Sequence, residues 1–304
     1  MKNSMFAVLI LFNTLVAGLN FPIGKMGLEF ASPLLLLGLR FIAAGLLMLP
    51  FVVKRPHPHE PVRWLQIGMI GLFQSALVLG FIYLSMKTIP SSTSSILSST
   101  NPIWFIIFST LFLGIHYRTV QWTGAVLGFI GVVVTTQGFS FQFHIGALLA
   151  LFAGMTWAMA TLLTSRWGKH FDTLVMTTYQ MLIGGAILLI ASVFFEQPWF
   201  ALDKTQLAKE LFVLAWLVLM SSIGQFVSWF YILKISDPGK ASAFLFLVPL
   251  FGVLSGWLIL GEELHWYVWA GAASIGFGIY LINKPRQTPV SSISADLTVL
   301  PHQQ

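Results

Sequence analysis

Long runs almost free of formal charge follow one another along most of this chain, and they leave it few ways to fold. They lie at roughly 4–24, 33–53, 64–86, 91–114, 121–137, 144–165, 173–195, 211–233, 240–260 and 266–283, and apart from Lys240 at the very start of the ninth only the second encloses a formal charge, Arg40. A backbone in hydrocarbon must satisfy its own N–H and C=O groups, so a run of about 20 apolar residues crosses a bilayer as a helix. Of 304 residues, 57% are hydrophobic and 9% charged, against roughly 25% charged in a soluble domain. The sequence therefore predicts an all-α integral membrane protein of ten transmembrane helices, one membrane domain in contact with membrane lipids.

The first run, Met5 to Gly24, is longer than the apolar part of a signal peptide and reads as a retained helix. The stretch 119–165 has no formal charge, and Gln137-Gly138-Phe139-Ser140 is where turn residues divide it. Beyond Lys284 the prolines and serines predict a disordered tail over 285–304. The absence of cysteine excludes disulfides, thiolate metal sites and cysteine nucleophiles.

A net charge of +6 would suit nucleic acid only if the basic residues clustered; here they are spread over loops, where they report orientation. With the N-terminus cytoplasmic, the inner side carries Lys2, Lys54, Arg55, Arg63, Arg118, Arg166, Lys169, Lys234, Lys240, Lys284 and Arg286, and the outer side Lys25, Lys87, Lys204 and Lys209. Eleven against four places both termini in the cytoplasm of a cell membrane and predicts no nucleic-acid partner.

A shift of 147 residues pairs Lys87 with Lys234, Pro102 with Pro249, Gly114 with Gly261, Trp122 with Trp269, Gly124 with Gly271 and Gly131 with Gly278. Nearby offsets pair Ala17-Gly18 with Ala153-Gly154 and Arg40 with Gln180. Residues 1–137 and 138–284 thus read as two five-helix repeats, and an odd number of spans inverts the second relative to the first. Inverted repeats place a solute site near the midplane, at their interface. Pro102 and Pro249 fall near mid-bilayer by residue count and are candidate kinks beside that site, with plain packing as the alternative.

All ten acidic residues and all seven histidines fall in loops, in the tail or at helix ends, and no H-E-x-x-H or G-x-S-x-G motif occurs. No catalytic residue, metal site or cofactor is predicted, and an enzyme has nothing to work with. Arg40 is the exception inside a span: it either holds a solute carboxylate through its planar fork, or snorkels or bonds protein carbonyls in a structural role. Asn13, Ala17, Asn20 and Gly24 share one face of helix 1, and Ala153, Thr156, Ala160 and Thr164 one face of helix 6, suiting close packing or a solute path. Ser221, Gln225, Ser228 and Trp229 do the same on helix 8. Gln74, Tyr83, Tyr179 and Gln180 add amides and phenols in helices 3 and 7. Helix 4 opens with serines from Ser91 through Ser98 to Ser99 and then Asn101, either lining a wet vestibule or bonding their own backbone. Trp157 and Trp229, mid-span beside polar neighbours, are candidates to stack on a solute. The candidate solute-binding set is Arg40, Asn13, Asn20, Gln74, Tyr83, Ser98, Asn101, Trp157, Tyr179, Gln180, Gln225 and Trp229.

Gly18-x-Asn20-Phe21 with Lys25 ending helix 1, Arg40 in helix 2, and Ala241…Pro249…Gly261-Glu262…Gly271…Gly278 resemble the EamA-type carriers of the drug/metabolite transporter superfamily over residues 4–283. The resemblance implies two inverted five-helix repeats, cytoplasmic termini, a central cavity and export of amino acids or related metabolites by alternating access. The chain departs from the family at Gly114-Ile115-His116, where a Gly-Glu is usual, and in its serine-rich helix 4. The function expected is a carrier of small organic solutes. The alternatives are a lipid-handling protein or enzyme acting on an amphiphile, and a receptor or scaffold.

Overall fold

The computed structural model describes residues 2–114, 117–135, 144–235, 244, 247–263 and 265–282. The proposed junction at 137–140, Ile115 and His116, Ala241 and the tail 285–304 lie outside them. Among the described residues every regular element is helical, and the single β contact is an isolated bridge between Ala31 and Phe200.

In chain order the helices are α1 (Lys2–Gly27), α2 (Pro33–Val52), α3 (Pro61–Ser85), α4 in two pieces (Ser91–Ser98 and Asn101–Leu113), α5 (Thr119–Thr135), α6 (Ile145–Trp167), α7 (Thr173–Phe195), α8 (Leu207–Ala215, Trp216–Gly224 and Gln225–Ile235 without a break), α9 (Leu247–Leu260) and α10 (Trp266–Ile282). Seven among the described residues are long and apolar enough to cross a membrane, and α9 and α10 are shorter apolar helices. Large apolar side chains such as Phe51, Phe194, Phe195, Leu111, Leu258 and Trp266 face outward, while serines, threonines and amides are buried. Such a surface is stable in lipid and would aggregate in water.

Local chemistry sets the boundaries. Pro33 and Pro61 occupy first helical positions, where a missing N–H costs nothing. Asp172 caps α7, accepting from the amides of Leu174 and Val175. Two carboxylates reach other helices' N-termini: Glu196 accepts from Leu34 and Leu35 on α2, and Glu262 from Ser91 and Ser92 on α4. Gly114 and Gly261, partners under the 147-residue shift, end α4 and α9 with φ of +64°, a left-handed turn that favours glycine.

Two helices depart from the α pattern. Gly71–Leu77 in α3 and Trp216–Gly224 in α8 are π-helical, a widened ladder seen mostly as short bulges. In α8 the Ser222 hydroxyl donates to the Leu217 carbonyl five residues back, at 2.9 Å.

A close seam joins α5 to α10. A Cβ on Gly124 would stand 2.5 Å from the Gly278 carbonyl oxygen, and one on Gly131 would stand 2.8 Å from that of Gly271. Small residues thus let the backbones touch. Gln121 Nε2 donates to the Ile282 carbonyl and Ser274 to that of Leu127, fixing the pair.

The break in α4 falls in the turn just before Pro102, which has no N–H for the Ser98 carbonyl, and residues 245–246 just before α9 lie outside the described ones. α4 is interrupted at Ser99-Thr100, and Pro102 is the second residue of its second piece; Pro249 is the third residue of α9. The wet-vestibule expectation for α4 is corrected. Ser91, Ser92, Ser94, Ser95, Ser98 and Ser99 are buried, Ser98 and Ser99 bond carbonyls of their own helix, and Ser95 packs onto Gly252 of α9. Serine is small enough for helices to meet, Ser98 and Ser99 spend their hydroxyls on their own helix while those of Ser91 and Ser95 are buried without a partner, and the run forms an interface.

Candidate functional site

A cavity of about 600 Å³ of empty space, its mouth included, lies between α1, α3, α6, α8 and the start of α9. Asn13, Ala17, Asn20 and Phe21 come from α1, and Gln74, Val78, Leu79 and Ile82 from α3. Trp157 of α6, Gln225, Phe226 and Trp229 of α8, and Val248 beside Pro249 complete it. Its periodicity is helical: 13, 17, 20 and 21 fall on one face of α1, and 74, 78 and 82 on one face of α3. The wall is apolar and aromatic, broken by four amides, and no lining residue carries a formal charge.

Asn13 is fixed by its Nδ2, which donates to the Gln225 carbonyl at 2.8 Å and to Ser228 Oγ at 3.0 Å. The side-chain amides of Gln74 and Gln225 bond no protein group among the described residues and face the cavity. Trp157 Nε1 is buried without a hydrogen-bond partner. A buried polar group left unpaired costs about 1–3 kcal/mol, and the free amides of Gln74 and Gln225 on the lining are the groups a guest can satisfy.

Behind Asn20, outside the cavity lining, lies Arg40, 1% exposed. Its Nε donates to Ser222 Oγ at 2.7 Å and Nη1 to Asn20 Oδ1 and Tyr83 OH, each at 3.1 Å. Nη2 donates to the carbonyl and hydroxyl of Ser221 at 3.0 and 3.3 Å. All these partners are neutral. The carbonyl and hydroxyls come from the π segment of α8, whose widened turn brings Ser221 and Ser222 to the guanidinium together. Tyr83, fully buried, fills the space left by Gly24, where a Cβ would stand 2.5 Å from its hydroxyl.

Beyond this layer, Lys25 pairs with Glu262 at 3.2 Å, and Glu262 holds the amides of Ser91 at 2.7 Å and Ser92 at 3.0 Å. Burial pushes the Glu262 carboxyl up, and the amides of Ser92 and Ser91 more than offset it, leaving it below its ordinary value of 4.5.

Of the candidate residues, Asn13, Asn20, Gln74, Trp157, Gln225 and Trp229 meet at this cavity, with Arg40 and Tyr83 behind Asn20. The other four stand elsewhere. Ser98 and Asn101 are buried at the break in α4. Gln180 is enclosed against α3, accepting from Ser75 at 2.7 Å, and Tyr179 meets His57 at 3.2 Å and the edge of Trp64. Among the described residues α4 lends nothing to the lining, while α9 lends Val248. Sequence reasoning passed over Phe21, Phe226 and the aliphatic wall of α3. In so apolar a chain their side chains carry no signal, although their four-residue spacing from Ala17 and Gln74 does.

Comparison with known proteins agrees with this architecture. The "Uncharacterized inner membrane transporter YedA" of Escherichia coli K12 is 28% identical over 282 residues, covering 92% of this chain and 89% of that protein. The "Uncharacterized transporter YvbV" of Bacillus subtilis is 29% identical over 287 residues, covering 91% of each. A solved crystal structure superposes with a TM-score of 0.65 at 20% identity, over 91% of this chain and 96% of that one, a likeness of fold. The EamA-like transporter family matches residues 4–137 and again 144–284. With that match spanning nearly all of the described helices, the chain belongs to the EamA-like transporter family and is a membrane transporter.

Proposed function

We propose that the protein is a plasma-membrane carrier that exports small organic solutes such as amino acids or related metabolites, by alternating access around this cavity. The observation that carries it is the cavity itself: four amides and four aromatic rings, without a lining charge, enclosed where helices from both halves of the chain meet. Amide groups orient a polar solute and rings cover its apolar part, the usual composition of a small-molecule site. No acidic side chain lines it, which favours facilitated diffusion or exchange over a carboxylate proton relay. To test it, cells expressing the protein are compared with empty-vector cells for growth on toxic amino-acid analogues and for metabolites in the medium. Resistance and a raised amino-acid-like solute are expected; unchanged growth and an unchanged medium would sink the reading.

Ten spans in two inverted halves are part of the same proposal. Supporting it, the two π segments overlap under the 147-residue shift, which also carries Ser75 onto Ser222. Ser222 bonds Arg40 of α2, and Ser75 bonds Gln180 of α7, the residue that a nearby offset pairs with Arg40. Contacts between loops respect the expected sides: 25–32 meet 196–210 and Glu262, whereas 55–57 meet 172–179. A reporter active only in the cytoplasm should therefore work when fused after Lys284 and fail after Lys204. The opposite result at either site would break the inverted arrangement.

Lipid handling is a second reading, favoured by the apolar share of the cavity wall. It predicts movement of a labelled lipid between leaflets, which a carrier of small solutes does not.

A further inference from the structure

Resting on the carrier reading, the geometry points to Asn20 as the residue that makes the cavity select solutes with a carboxylate, by relaying the charge of Arg40. Every polar hydrogen of the guanidinium is a donor, so the Asn20 atom facing Arg40 at 3.1 Å has to be its oxygen. Ser221 Oγ, which donates to the same oxygen at 2.7 Å, and Tyr83 OH at 3.4 Å, fix that orientation further. The other end of the amide, Nδ2, has no hydrogen-bond partner among the described residues, while Asn20 lines the cavity and is 4% exposed. The cavity therefore meets a donor that cannot flip into an acceptor.

Electrostatics strengthens that donor. Arg40 is buried among neutral groups and the face of Phe41, 5.0 Å away, and among the described residues no carboxylate bonds it. A cation bonded to Oδ1 draws electron density from the amide and makes its N–H groups better donors. An anion at Nδ2 would be the counter-charge that the helices themselves do not supply. Arg40 acts here as a positioning residue: it makes no contact with the solute, yet its field and its grip on Oδ1 set what Asn20 offers. At the far side of the cavity the amides of Gln74 and Gln225 are not held this way and can turn either face to a guest.

The discriminating variant is Asn20→Asp, which keeps an oxygen for Arg40, Ser221 and Tyr83, neutralises Arg40 and removes the N–H groups. Full-length protein in lipid nanodiscs is titrated with leucine, phenylalanine and their decarboxylated amines, isopentylamine and phenethylamine, with thermal unfolding and tryptophan fluorescence as readouts. The parent should bind each acid at least about tenfold more tightly than its amine, the scale of one charge-assisted hydrogen bond. Asn20→Asp should unfold no lower than the parent and show less than about a twofold preference. Amines that bind as well as acids, a preference that survives in Asn20→Asp, or no binding by either acid would overturn the relay. Uptake into proteoliposomes separates the two proposals. Uptake without acid preference leaves the carrier standing and removes the relay, whereas vesicles that take up no solute at all remove the carrier first.

Discussion

Replacing Arg40 by methionine is expected to leave folded protein in the membrane near its normal level and to lower transport of carboxylate solutes by about tenfold or more. Methionine fills most of the volume and removes the desolvation cost of a buried cation, and exchanging a buried ion for an apolar residue of similar size is often neutral for stability. Asn20 would still be held by Ser221 and Tyr83, so the loss falls on the charge behind it. Arg40→Ala loses the same donors and adds a void at the junction of four helices, for a further loss of about 2–3 kcal/mol and a severalfold drop in folded protein. Lysine keeps the charge but has three donors in place of five and no planar fork, so it should recover abundance and only part of the transport. Transport per folded molecule is the quantity to measure. Full transport by Arg40→Met would show that the charge has no part in solute handling, and a failure of Arg40→Met to fold would make the residue structural.

The second large effect is expected at Glu262. Its carboxylate ties three elements together: the end of α9 on which it sits, the N-terminus of α4 through Ser91 and Ser92, and Lys25 at the end of α1. Gly256 lies under it, and a Cβ there would stand 2.7 Å from Oε2. Glu262→Ala leaves two N-terminal amides and a lysine without their acceptor, a loss of about 2 kcal/mol, and loosens α1 and α4 from α9 beyond the Arg40 layer. Thermal unfolding should fall by several degrees, and a probe thiol placed in the cavity should label faster from the Lys25 side. The pH dependence follows from the direction of the shift. Because folding depresses this pKa, the stabilisation is complete above the ordinary value of 4.5 and is lost as pH falls through the lower folded value. The gap in unfolding temperature between parent and Glu262→Gln should thus be full at neutral pH and close in acid. A gap that widens in acid would mean that the carboxylate is protonated in the folded protein.

Much of this was legible in the sequence because charge is so costly in hydrocarbon. The run at 173–195 coincides with α7, capped by Asp172, and the run at 33–53 with α2, begun by Pro33. The stripe Asn13, Ala17, Asn20 marked the face of α1 that lines the cavity, whereas the glycines matched by the repeat did not show that α5 would meet α10 through them. What stayed hidden was three-dimensional. No residue type marks a π turn, so nothing in the string showed that Ser221 and Ser222 would both reach Arg40. The break in α4 falls at Ser99-Thr100, in the turn before Pro102, where Thr100 packs on Gly154 of α6. The serines of α4 read as a wet surface because their count ignores how well a small side chain packs between helices, with hydroxyls such as those of Ser98 and Ser99 spent on their own helix.

The seam between α5 and α10 bears on what can enter from the side. Backbones that touch at Gly124 and Gly278, and again at Gly131 and Gly271, leave no slot for an acyl chain, whose width of roughly 4 Å needs a parting of whole side chains. This flank of the protein is shut to the hydrophobic tail of a bilayer lipid, and any amphiphile that reached the cavity sideways would have to come between other helices.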